Sequence, residues 1–355
     1  MNMTTITITG TTMAETILVK NDTCYACPVR CKRVVEAEGR YDVSPEYGGP
    51  EYETLGAFGS ACGIDDLEAI AYANQLCNAY GLDTISTGMT IAWAMECFER
   101  GLLTEEETGG LDLSFGNAET MVALVEQIAH REGFGDLLAE GSIRAAKRVG
   151  EETEKYAMHV KGQEFPMHEP RIKFALGLGY ATSPTGADHM HNIHDTFYAD
   201  SPGHARAVGI LEPLPADNLG PEKLRLAKYE IDWQVFHNCL GLCMFMPYSK
   251  PQIRDLINAV TGWDTTVFEM LKVGERAMAM ARVFNQREGF TPQDDVAHWR
   301  FATPMPAGAA EGVAVSPETM ADALNLYYEM RGWDKQTGAP TKAKLYELGL
   351  GWLVD

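Results

Sequence analysis

Residues 65–81 read DDLEAIAYANQLCNAYG, and this stretch sets the fold class. Its apolar residues Leu67, Ile70, Ala71, Ala73, Leu76 and Cys77 recur at helical spacing on one broad face. Asp65 and Asp66 suit the positive end of a helix, and Gly81 stands where helices commonly stop. Similar signatures predict helices over Ile91–Arg100 (with Asp83–Gly88 as a polar entrance), Ala118–Arg131, Gly135–Val149, Pro221–Cys239, Pro251–Val260, Thr266–Asn285, Glu318–Arg331 and Lys342–Leu348. Residues 1–20 are Thr- and Ile-rich, as in a single strand, and Arg33–Tyr41 is β-coloured. Residues 161–200 lose periodicity to Gly, Pro and His, as a site-building loop does. The fold class is mainly α, with two helical domains joined near residue 160: a tail or remnant over 1–15, one domain over 16–160 and another over 161–355.

Composition excludes several function classes. The 355 residues are 45% hydrophobic, so the chain can bury a core without disulfide staples. A net charge of −21 argues against nucleic acid and anionic membrane surfaces as partners. No apolar run reaches the ~20 residues of a membrane span, and the start lacks the basic and apolar regions of a signal peptide. A cytoplasmic protein is expected, whose eight cysteines are thiols or metal ligands before they are disulfides.

Three of those cysteines fall in Cys24-Tyr-Ala-Cys27-Pro-Val-Arg-Cys31. The spacing puts three soft sulfur ligands on one tight turn, which suits zinc or an iron–sulfur cluster. Structural zinc sites usually take their other ligands from a second short pair, and none follows nearby. A [4Fe–4S] cluster can draw its fourth cysteine from far along the chain, and the candidates are Cys62, Cys77, Cys97, Cys239 and Cys243. The radical-SAM order, with the longer gap first, does not match. Three buried thiols without metal are the plain alternative.

Other residues suggest chemistry less sharply. Asn78-Ala-Tyr-Gly81-Leu82-Asp83 is echoed by Asn238-Cys-Leu-Gly241-Leu242-Cys243, each a helix end followed by an acid or a thiol. Two copies suit a ligand with two similar halves, although Gly-Leu after a helix is common. Gly48-Gly-Pro-Glu51-Tyr-Glu53 places two carboxylates behind a turn. Burial of Glu53 would raise its pKa and make it a usable proton carrier. His189, His191 and His194 with Asp188 and Asp195 leave both a metal cluster and a catalytic or hydrogen-bonding histidine open. The remaining histidines, including His168 and His237, are individually uninformative.

Together these motifs resemble the aldehyde:ferredoxin oxidoreductase family, and the resemblance covers essentially Glu15–Leu350, including FNQREGFT and YYEMRGWD toward the C-terminus. It implies a [4Fe–4S] cluster on Cys24, Cys27, Cys31 and Cys243, and a tungsten (or molybdenum) bis-pterin. Asn78, Leu82, Asp83, Asn238, Leu242 and Cys243 would hold the pterins, with Thr185 and His191 in the cofactor loop. Glu53 would serve as general base or proton relay, and His189 would hydrogen-bond the substrate carbonyl or metal oxygen. The implied reaction oxidises a small aldehyde to a carboxylate and passes electrons to a ferredoxin-type acceptor.

Three departures accompany the resemblance. Asn78 and Asn238 replace the first acid of both pterin motifs, and Thr185 and His191 stand where the family often has basic residues. The β-rich N-terminal domain of the family has no counterpart, so the expectation is a fragment, a split subunit, or a member whose partner chain supplies that surface. Alternative readings are a pterin–tungsten reductase resembling the benzoyl-CoA reductase catalytic subunit, and a truncated, non-catalytic iron–sulfur electron-transfer subunit.

Overall fold

The computed structural model describes residues 7–354, which form two compact units, 7–167 and 168–354. Helices dominate, and the named strands of the described residues make three two-stranded antiparallel pairs. The fold is mainly α, as the periodicity predicts.

In the first unit, Leu67–Tyr80 is helical with Asp66 accepting the Ala69 N–H at 3.0 Å. Its apolar face packs with Thr84–Glu99 and Ala118–His130 around Phe58, Ile70, Ile91, Met95, Met121 and Leu124, all buried. Leu18–Asp22 and Lys32–Val35 form a hairpin whose connecting loop carries the three clustered cysteines.

Four local expectations are corrected. Gly10–Thr16 is a helix where a strand was expected: Thr9 caps it by accepting the Thr12 N–H, and Met13 is buried among Ile17, Val35, Val43, Leu67 and Ala71. A cap and tertiary burial override the β preference of threonine. The part of that expected strand over residues 1–6 lies outside the described residues. The second helix begins at Thr84, not Ile91, because Asp83 caps it; Asp83–Gly88 is no separate entrance. The expected helix Gly135–Val149 is two, Gly133–Leu138 and Ser142–Val149. Gly141 at φ +82° separates them, and the buried Glu164 carboxylate accepts from Ser142 N (2.8 Å) and Oγ (2.7 Å) at the new start. Within 161–200 lies the helix Phe174–Thr182, whose residues from Ala175 onward are all buried. A helix apolar all round has no amphipathic period to read.

In the second unit Pro221–Leu240 pairs with Val267–Arg287, and Pro317–Arg331 and Phe174–Thr182 pack on the same core. That core is crossed by buried ion pairs. Arg331 pairs with Asp232, Arg282 with Asp295 at 2.6 Å, and Lys250 with Glu230 at 2.9 Å. The segment YYEMRGWD belongs here: Tyr327, Tyr328, Arg331 and Trp333 are all buried. No helix among the described residues is long and apolar enough to cross a membrane.

Candidate functional site

The hairpin loop of the first unit holds Cys24, Cys27 and Cys31 in two tight turns. Ala26 and Arg30, the residues just before Cys27 and Cys31, both have φ of +53°. Left-handed backbone is costly for side chains with a Cβ, so the loop holds a conformation its sequence does not prefer. Thr23 Oγ1 donates to the carbonyls of Cys24 and Cys27, and Arg30 Nη2 donates to Asn21 O at 2.9 Å. Cys24 and Cys31 are exposed and Cys27 is half-buried.

The other thiols divide into two kinds. Cys62, Cys77 and Cys97 are buried in the first core. Burial pushes the Cys62 and Cys77 thiols up to about 12, so near neutrality they stay protonated and are poor ligands. Cys239 and Cys243, in the second unit, are exposed. Of the five candidates for a fourth ligand, these two remain chemically suitable.

Hydrogen bonds tie the thiol hairpin to the Gly48–Glu53 segment, and Asn78 bonds to the turn just before that segment. Gly49 N donates to Arg33 O at 2.8 Å, and Arg33 donates to the Pro50 carbonyl and pairs with Glu51. Asn78 Nδ2 donates to Tyr47 O at 3.1 Å. Glu53 sits on the short helical turn Tyr52–Thr54, half-buried, and its Oε2 accepts the Met167 N–H at 2.6 Å.

The echoed motifs share one backbone construction. Gly81 (φ +73°) and Gly241 (φ +66°) both end helices in left-handed geometry. Leu82 N then reaches back to Cys77 O at 2.8 Å, and Leu242 N to His237 O at 3.0 Å. This is a Schellman cap, and it explains Gly-Leu in both places. Beyond the cap the copies diverge. Asp83 accepts the Ser86 N–H at 2.7 Å and starts the next helix at once, whereas Cys243 leads into the loop 244–249. Asn78, Asp83, Asn238 and Cys243 are exposed and both leucines half-buried.

In the second unit the histidine loop is braced from beneath. Asp195, wholly buried, accepts from Ala175 N (3.3 Å) and Leu176 N (2.9 Å) at the start of helix Phe174–Thr182 and pairs with Lys223 at 3.1 Å. Asn192 Nδ2 donates to Leu176 O at 3.1 Å, and its side chain lies so close to Gly179 that a Cβ there would come within 1.8 Å of Asn192 Oδ1. Asn285, from the FNQREGFT segment, donates to Pro184 O at 2.7 Å. Thr185 is exposed, and its N–H donates to Ser183 Oγ at 3.2 Å.

On this frame His191 is buried, its Nδ1 3.0 Å from Asp188 Oδ2. Burial opposes ionisation of Asp188, but His191 outweighs it and holds the carboxyl below its usual range. The half-buried His189 ring lies 5.2 Å from the ring of His168 and 6.3 Å from that of His194. Lys173 and His168, which the sequence did not single out, join His194 in this cluster. No local signal marks them, because their neighbours come from separate stretches of chain. A cavity of about 530 Å³ elsewhere in this unit is edged by Lys228, Lys272 and Lys344, whose charges are already taken by Asp232, Glu275 and Glu347.

Comparison with known proteins accords with these motifs. Residues 2–350 match the family model described as aldehyde ferredoxin oxidoreductase, domains 2 and 3. A tungsten-containing aldehyde ferredoxin oxidoreductase of Pyrococcus furiosus is 40% identical over 346 residues, covering 96% of this chain and 54% of the relative. An aliphatic sulfonate oxidoreductase, WOR-like subunit, of the same organism is 30% identical over 343 residues, covering 92% and 50%. Among solved structures, the active site complex BamBC of benzoyl coenzyme A reductase in complex with 1,5-dienoyl-CoA superposes with a TM-score of 0.73 at 24% identity, covering 96% of this chain and 54% of that one. At that identity the likeness concerns the fold alone. The chain spans about half the length of the curated relatives it matches. It belongs to the aldehyde ferredoxin oxidoreductase family, as the part that corresponds to domains 2 and 3.

Proposed function

We propose that this chain carries part of the machinery for oxidising a small aldehyde to a carboxylate, with electrons leaving through a [4Fe–4S] cluster to a ferredoxin-type acceptor. The observation that carries the reading is the hairpin loop. Cys24 and Cys31 are exposed and Cys27 half-buried on a loop with left-handed backbone at Ala26 and Arg30, while three other cysteines of the same unit are buried in its core. A loop that takes left-handed backbone at two residues and carries three soft donors within eight positions fits a cluster better than a structural turn. Cys243 is the proposed fourth ligand.

For the pterins, the open space beyond Gly81 and Gly241 supports the fit, since a Cβ built at either would meet nothing within 4 Å. Asn78, Leu82 and Asp83 would hold one pterin, and Asn238, Leu242 and Cys243 the other. Thr185 and His191 would act from the histidine loop. When bound, the tungsten (or molybdenum) bis-pterin would supply the two-electron oxidation of aldehyde and water, and the cluster would supply one-electron transfer.

The chain's own residues then handle protons and orientation. Glu53 is proposed as the base or relay, its Oε2 fixed by the Met167 N–H. His189 would donate a hydrogen bond to the substrate oxygen. A partner or a further segment supplying the remainder of the relatives' length is part of this proposal.

Anaerobic purification followed by iron and tungsten analysis tests the reading, together with viologen reduction by benzaldehyde. Iron, tungsten and aldehyde-dependent reduction support it. Iron without tungsten favours the electron-transfer subunit, and tungsten with activity only on an aromatic CoA thioester favours the reductase.

A further inference from the structure

The histidine cluster contains one group that neither the fold nor the proposed roles use. Lys173 Nζ lies 3.2 Å from Nδ1 of His168 and 3.2 Å from Nδ1 of His194. An ammonium has three donors and no acceptor, so both imidazoles accept at Nδ1. A neutral imidazole that accepts at Nδ1 carries its proton on Nε2. Lysine therefore fixes the tautomer of His194.

Among the described residues that Nε2–H meets no acceptor in hydrogen-bonding geometry. His194 is 7% exposed, and its Nε2 is buried without a hydrogen-bond partner. The His189 carbonyl also acts on the ring, yet makes no bond of ordinary geometry with it. The His168 ring stands edge-on at 4.7 Å and the Phe197 ring tilted at 5.6 Å, so side chains rather than bulk water surround the imidazole. Burial, and then the Lys173 charge, hold the group neutral, its pKa pushed down to about 3. Buried donors without partners are rare in native proteins, and each calls for a ligand or an ordered water.

We propose that His194 is a hydrogen-bond donor of the substrate site, its Nε2–H holding an oxygen of the aldehyde carbonyl and, after oxidation, of the carboxylate. An oxygen gaining negative charge is the acceptor best matched to an N–H beside an ammonium. His189, proposed above as the other donor, lies in the same loop, so one bound carbonyl group would meet two imidazoles. The choice of substrate class rests on the proposed function; the orphaned donor does not.

The test uses the purified chain with benzoate as probe, and the variants His194→Phe, which removes the donor, and His194→Gln, whose amide nitrogen can stand in for Nε2. Long-range proton–nitrogen NMR of histidine should show the Nε2–H tautomer for His194, and its resonance should move on adding benzoate. His194→Phe should weaken benzoate binding roughly ten-fold or more, and His194→Gln should recover most of it. An Nδ1–H tautomer, no benzoate binding by the wild-type chain, or equal binding by wild type and both variants would overturn the inference. If His194→Phe does not fold, the wild-type spectra and His194→Gln still decide it. His194-dependent benzoate binding in a chain that never oxidises aldehydes would sink the proposed reaction and leave this donor standing. Aldehyde oxidation with unchanged KM in His194→Phe would do the reverse.

Discussion

Asp195 and Lys223 are both wholly buried and pair at 3.1 Å, and the same carboxylate caps the helix Phe174–Thr182. One ion pair thus locks the histidine loop to the element it must sit against. Burial drives the Asp195 pKa up, and Lys223 and the helix amides work against that. Lys223→Met leaves the carboxylate buried without its cation, and should cost about 3–5 kcal/mol in urea unfolding. Adding Asp195→Leu to that variant should recover part of the loss, because two apolar side chains remove both desolvated charges. If Lys223→Met is as stable as wild type, the loop does not depend on the pair.

Acid should unfold the chain in two stages. His194 and His237 have folded-state pKa values pushed down by burial, to about 3 and about 4, against 6.5 unfolded. The unfolded chain binds more protons below pH 6.5, so their contribution is complete above that value and falls progressively as pH drops toward 4 and then 3. Burial works against ionised Glu275, but Lys228 and its other lysine partners outweigh it and bring the folded pKa to about 2. Its stabilisation is present above 4.5 and lost as pH falls toward 2. Denaturation midpoints between pH 7 and 3 should therefore decline from about pH 6.5, and His237→Phe should flatten the upper part of the curve. A midpoint independent of pH down to 4 would contradict the neutral buried histidines.

Thiol labelling should separate the cysteines by burial. In the metal-free native chain Cys24, Cys31, Cys239 and Cys243 should react with iodoacetamide in minutes, while Cys62 and Cys77, held as thiols, should react only on unfolding. Mass mapping reads this directly. Loading iron and sulfide should then protect Cys24, Cys31 and Cys243 but not Cys239.

Gly179→Ala should be more damaging than Gly81→Ala. The first drives a Cβ to within 1.8 Å of Asn192 Oδ1 under the histidine loop, where overpacking costs about 1–3 kcal/mol or more. The second meets open space and suffers mainly the left-handed backbone, about 1 kcal/mol. Thermal unfolding of both variants, with histidine NMR shifts as a local readout, checks the order. Equal losses would mean that Asn192 yields freely.

The helical character of the fold was legible because Leu67–Tyr80 and its kind wear their burial as a 3.6-residue period. Phe174–Thr182 hid, since a helix buried on all sides shows no period. Gly10–Thr16 hid behind threonines that cap and pack where their propensity suggests a strand. At the site, the thiol loop announced itself because three cysteines fall within eight residues. The Lys173–His194 pairing could not, because it joins residues twenty-one apart through a fold the local sequence does not encode. The Asn-x-x-Gly-Leu echo was visible, but part of its meaning is a helix cap, which the sequence alone does not separate from a ligand motif.

The most direct test is electron paramagnetic resonance with iron analysis on the anaerobically reconstituted, dithionite-reduced chain, comparing wild type with Cys243→Ser and Cys239→Ser. The account predicts about four irons and a reduced [4Fe–4S] signal in wild type and in Cys239→Ser, with the signal lost or altered in Cys243→Ser. Zinc in place of iron, or a signal unchanged by Cys243→Ser, would contradict it.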